Sequence, residues 1–200
     1  MATAAKKFTT DSAEERILVS ARREIEERGI LGLRIMDVAR GANASLSLIY
    51  KYFDSRDGLL ARVLGDMYEE IQKTSVARYM ARLEGNDNLK VSDIVDALPQ
   101  FDEPTFRQNQ YARLQILATS LKNPVLRDRL EELTQKQMQT WREALGELKS
   151  RLAPGEDFDD RFFLMILSTQ SMYYRELLGE KSFTKEEYAS YVLHIMTRKP

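Results

Sequence analysis

The chain of 200 residues contains no cysteine and a single histidine, His194. Without cysteine there is no disulfide, no cysteine-ligated zinc or iron–sulfur cluster and no thiol nucleophile. One histidine excludes a two- or three-histidine metal site within a chain and leaves His194 as the sole candidate for a histidine-dependent triad. Glycine-rich phosphate loops are missing: neither GxGxxG nor GxxxxGK occurs. Long apolar runs are missing too. The longest is Phe162–Leu167, six residues, far too short to span a bilayer. The opening MATAAKKFTT has no apolar stretch of signal-peptide length. These absences point to a cytoplasmic protein with no membrane segment, no metal, no cofactor and no enzymatic activity. The acidic cluster Glu156, Asp157, Asp159 and Asp160 reads as capping of a following helix rather than as a metal site.

Proline (five) and glycine (nine) are scarce, and what remains is helical in period. The spacing predicts an all-α chain of about nine helices, over 11–28, 35–41, 45–53, 56–82, 91–98, 104–122, 124–152, 157–178 and 184–198. Thr10 or Asp11 is the expected N-cap of the first helix. Its apolar stripe is Ile17, Leu18, Ala21 and Ile25, and Gly29 is its C-terminal stop. Asn123-Pro124 marks another helix start, and Gly85-Asn86-Asp87-Asn88 a turn.

Residues 35–53 carry the most information. Two helices of about two turns flank a three-residue connection, Ala42-Asn43-Ala44, as in a helix-turn-helix. Small Ala39 and Ala42 allow the close crossing, and Asn43 tolerates a left-handed turn position. Ile49 and Phe53 form the inward face of the second helix, leaving Leu46, Ser47, Leu48, Tyr50 and Lys51 outward. Exposed leucines are costly unless covered, and the methyl group of thymine in a major groove would cover Leu46 and Leu48. Ser45, Tyr50, Lys51, Tyr52 and Arg56 are phosphate-contacting types, and the start of the following helix offers N–H groups to a phosphate.

The string VARGANASLSLIYKYFDSRDGLL, residues 38–60, resembles the helix-turn-helix of the TetR-type transcriptional regulators. Shared features are Val38-Ala39, the turn Ala42-Asn43-Ala44-Ser45, the core Ile49-Tyr50-Lys51-Tyr52-Phe53, and Arg56-Asp57-Gly58-Leu59-Leu60. The chain departs from the family in four places: Asn43 stands for a usual Gly, Ser47 for a frequent Gly, Tyr52 for a common His, and Arg34 for a Ser or Thr cap. We read Arg34 as a charged phosphate contact. The resemblance implies a three-helix DNA-binding domain, residues 1–55, and an effector-binding and dimerisation domain, residues 56–200. It also implies a palindromic operator and release by a small molecule. A constitutive DNA-binding or adaptor protein without effector is the alternative.

In the second domain three glutamines interrupt apolar stripes. Gln110 lies between Phe106 and Leu114, Gln137 between Leu133 and Trp141, and Gln170 between Ile166 and Tyr173. A buried amide needs a partner, either protein, water or ligand. The candidate effector residues are Gln110, Leu114, Gln137, Met138, Trp141 and Gln170, with Tyr68 and Tyr111 as further aromatics. The apolar helix 157–178 and the last helix, 184–198, are the expected homodimer seam.

Overall fold

The computed structural model describes residues 12–98, 104–159 and 185–196. Those residues form eight helices and no strand: α1 Ala13–Gly32, α2 Ile35–Gly41, α3 Leu46–Phe53, α4 Arg56–Arg82, α5 Val91–Asp96, α6 Pro104–Ser120, α7 Pro124–Ser150 and α8 Lys185–Met196. Most of the apolar helix expected over 157–178, including Gln170, lies outside the described residues, as do Thr10, Asp11 and Thr184. Among the described residues no helix is long and apolar enough to cross a membrane.

The described chain divides into two compact units, residues up to 67 with 115–130, and residues 68–114 with those from 131 on. In the first unit α1 is capped by Ser12, not by Thr10 or Asp11. The Glu15 N–H donates to Ser12 Oγ at 3.1 Å, and the Ser12 N–H donates to Glu15 Oε2 at 2.8 Å. This reciprocal box satisfies two orphan donors at once. Gly29 does interrupt the helix, at φ 74°, but the chain resumes helical turns to Gly32. Ile30 and Leu33 thereby enter the core beside Ile17, Ala21 and Ile25.

Both α2 and α3 pack on α1. Buried Ser20 on α1 donates its hydroxyl to the Val38 carbonyl at 3.0 Å, and a Cβ at Gly41 would strike the Ser20 and Arg23 side chains. The turn is drawn tight by the Ala44 N–H donating to the Ala39 carbonyl at 2.9 Å. Asn43 sits at φ 48°, the left-handed position its amide tolerates. At the α6–α7 corner, buried Asn123 caps α7 by accepting from the Leu126 N–H at 3.0 Å, and donates to the Asp57 carbonyl of α4 at 3.0 Å. Arg129 pairs with Asp66.

On α6 and at its end, the helically spaced Leu114, Leu117 and Leu121 read from the sequence as one apolar stripe, but it is not an inward face throughout: Leu117 and Leu121 are exposed while Ile116 and Ser120 are buried. The corner turns the Ile116 side inward, a choice that periodicity alone does not fix.

In the second unit the loop after α4 is tied to the end of α7. Leu89 N–H donates to the Arg151 carbonyl at 2.9 Å and Ala153 N–H to the Leu89 carbonyl at 2.8 Å. The Arg151 guanidinium donates to the Leu83 and Asn86 carbonyls. Tyr79, Leu89, Ile94, Trp141, Leu148, Phe158, Val192 and Met196 share one core. Residues 157–159 are not helical, contrary to the expected helix start at Asp157. Instead Phe158 buries its ring in the core under the Lys149 ammonium, 5.1 Å from the ring centroid. Glu156 caps a different helix from the one expected: its carboxylate accepts from the Val91 N–H of α5 at 3.0 Å.

Candidate nucleic-acid interface

The eight residues of α3 are held by two devices. Ser45 Oγ caps the N-terminus, accepting from the Leu48 N–H at 3.2 Å, and lies 2.9 Å from Ser47 Oγ. Ile49 and Phe53, one turn apart, are buried and anchor the helix. The opposite side faces out: Leu46 is 41% exposed, Tyr50 46% and Tyr52 43%. Ser47 and Lys51 are exposed between them, and Leu48 is half-buried. After α3, Asp54 at φ 61° turns the chain, and Ser55 Oγ starts α4 by accepting from the Gly58 N–H at 3.0 Å.

Charge pairing separates the basic side chains of this unit into two groups. Arg22, Arg23, Arg28, Arg40 and Arg62 each face a carboxylate, from Glu26, Glu27, Asp37, Asp37 again, and Asp66 with Glu14. The hydrogen bond that Arg62 donates to Asp66, reinforced by the charges of Asp66 and Glu14, holds the Arg62 guanidinium above its ordinary range despite some desolvation. Arg34 and Lys51, by contrast, are exposed and form neither ion pair nor side-chain hydrogen bond among the described residues. Arg34 occupies the N-cap of α2 without capping it through its side chain. Arg56 has no carboxylate partner either and reaches the Leu33 carbonyl at 3.5 Å. All nine sequence-derived candidates, Arg34, Ser45, Leu46, Ser47, Leu48, Tyr50, Lys51, Tyr52 and Arg56, therefore lie on α3 or at the starts of α2, α3 and α4.

The second unit brings some candidate effector residues near one another through α4. Tyr68 is buried beneath the Arg113 guanidinium of α6, 5.6 Å from the ring centroid. One turn on, the Gln72 carbonyl accepts from the Gln137 amide of α7 at 3.3 Å. Gln110 is buried; Leu114, Gln137 and Met138 are half-buried. Trp141 is packed into the core against Tyr79, ring centroids 5.5 Å apart. Tyr111 is exposed. Sequence reasoning missed Gln72. It is 6% exposed, and its side-chain amide makes no hydrogen bond among the described residues. A glutamine four residues after Tyr68, on the same face of a long helix, was the available signal. An open groove of ≈ 510 Å³ lies between α4 and α7, floored by Ala77, Met80, Ala81 and Ala144, and none of the candidate effector residues lines it. Among the described residues no group of three or more histidine, aspartate or glutamate side chains is placed to hold a metal ion.

Residues 17–63 match the profile described as bacterial regulatory proteins, tetR family. The chain is 25% identical over 194 residues to the HTH-type transcriptional regulator BetI of Escherichia coli K12, covering 96% of each. It is 25% identical over 166 residues to the HTH-type transcriptional regulator CymR of Pseudomonas putida, covering 81% of this chain and 78% of that one. Its fold resembles that of the multidrug binding protein EbrR complexed with imidazole, at TM-score 0.58 and 20% identity over 96% and 98% of the two chains. It also resembles a member of the TetR family from Streptomyces coelicolor A3, at TM-score 0.56 and 19% identity over 94% and 100%.

Proposed function

We propose that this DNA-binding transcriptional regulator, which belongs to the tetR family of bacterial regulatory proteins, is a homodimeric repressor released from a palindromic operator by a small molecule. It is a regulator and not an enzyme. It acts in the cytoplasm, where its operator is.

The observation that carries the reading is the unpaired charge around α3. On α1, Arg22, Arg23 and Arg28 each face a carboxylate, whereas Arg34 and Lys51 do not. An unpaired cation beside an outward helix is what a phosphate backbone takes up. Arg34, Tyr50, Lys51, Tyr52 and Arg56 grip phosphates, while Ser45 is spent on capping α3. Selection from random duplex DNA tests this, followed by affinity measurements across a salt series. Lys51→Ala and Arg34→Ala should each weaken binding at every sequence and flatten the salt dependence by about one counterion. No enriched sequence, or unchanged salt slopes, would overturn it.

The effector reading is supported by polar side chains on α4, α6 and α7, buried Gln72 and Gln110 and half-buried Gln137, beside Tyr68 and Arg113. Leu114, Met138 and Trp141 supply apolar contact, and Gln170 belongs to the same proposal. The Gln72 side-chain amide, 6% exposed, is the group a ligand would hydrogen-bond first. Screening small organic molecules for a raised melting temperature, then for operator release, tests it. A molecule that releases the operator should lose affinity in Gln72→Leu. Release undiminished in that variant would move the effector elsewhere.

A further inference from the structure

The rows of α3 have a chemistry of their own. Residues four apart share a row on a helix, so Leu46 lies with Tyr50, Ser47 with Lys51 and Leu48 with Tyr52. The buried pair Ile49 and Phe53 fixes the opposite side, which puts the short Ser47 near the middle of the outward face. A short residue there lets the helix axis approach a groove floor closely, and the flanking leucines come down with it. What α3 lacks matters equally. It contains no Arg, Asn, Gln, Asp or Glu, and of the usual side chains that read base edges by hydrogen bonding it keeps only Ser47 and Lys51. Of its polar groups, the Ser47 hydroxyl is already within 2.9 Å of Ser45, and Lys51 is a single point charge.

An apolar face on a helix flanked by unpaired cations needs a partner that is anionic at its rim and apolar at its floor. The major groove meets that description at one kind of base pair, where the C5-methyl group of thymine projects into it. We infer that Leu46 and Leu48 determine specificity by packing on thymine methyl groups, so that the operator half-site is read mainly by methyl contact and not by bidentate hydrogen bonds. This rests on the operator-binding reading above and names the bases that reading leaves open.

The test changes the DNA rather than the protein. In the operator selected from random duplexes, each thymine is replaced singly by uracil, which removes only the methyl group. Losing one buried methyl contact should weaken binding about four-fold at each contacted position. Leu46→Ala should bind the thymine and uracil operators equally at its own position while retaining the penalty at the other. Half-buried Leu48→Ala is checked for an unchanged melting temperature and then read in the same way. Equal affinity for thymine and uracil operators overturns the inference even where the protein binds DNA sequence-specifically. So do uracil penalties that persist unchanged in both leucine variants. If no sequence is selected at all, the operator-binding reading falls and this inference with it.

Discussion

The Tyr79 hydroxyl donates to the Ile94 carbonyl at 2.9 Å, and three residues on Arg82 donates to the Ala97 and Leu98 carbonyls at 2.9 and 3.2 Å. One face of α4 thus satisfies the orphan acceptors at the C-terminus of the short α5, as basic and hydroxyl groups do at helix ends. Tyr79→Phe leaves the Ile94 carbonyl buried and unpaired. It should cost about 1–3 kcal/mol in urea denaturation. The same phenol titrates unusually, because burial pushes its pKa well up. Its contribution is therefore fully present below the unfolded-state value of about 10 and is lost as pH climbs past it, since the unfolded chain ionises first. Melting temperatures from pH 8 to 11 should fall more steeply in the parent than in Tyr79→Phe. Parallel profiles would mean that the ring is not held neutral by its burial.

At the scale of elements, the reading unit was largely legible. The small residues at the crossing, the Asn43 turn and the Ile49–Phe53 anchor are local signals, each visible within a few positions of sequence. Their local logic is why residues 35–53 were placed to within a residue or so. What was not legible depends on distant partners. Glu156 caps α5 from 65 positions away, and Phe158 extends into the core instead of opening a helix, and no pattern near either residue encodes this. Leu117 and Leu121 show the same limit: a stripe has a period, but its cover is decided by tertiary packing.

Gly65 is a further case. Propensity alone favours alanine there by about 1 kcal/mol, yet a Cβ at that position would run into the Arg129 side chain, which pairs with Asp66. Gly65→Ala should therefore lower the melting temperature, while Gly65→Ala combined with Arg129→Ala should recover part of the loss. A gain in stability from the single substitution would show that Arg129 moves aside freely.

For the whole molecule, the net charge of −1 hides an uneven distribution. Residues 1–62 hold 11 Lys plus Arg against 9 Asp plus Glu, and the remainder holds 19 against 22. A surplus of two is too small to attach a protein to DNA by bulk charge, so on the proposed reading affinity depends on the few cations without a carboxylate partner, Arg34, Lys51 and Arg56. That has a measurable consequence for the assembly. If each chain neutralises three phosphates, a dimer on a full palindrome neutralises six, and log K against log salt should fall with a slope of about −5. One chain on an isolated half-site should give about −3. Fluorescence anisotropy across a salt series measures the slope, and sedimentation velocity on the same duplex counts the chains. A slope near −3 with a single chain on the full palindrome would contradict the dimer, because two-fold symmetry in the DNA would then have no counterpart in the protein. A slope near −5 with two chains would tie the symmetry of the operator to the unpaired side chains flanking α3.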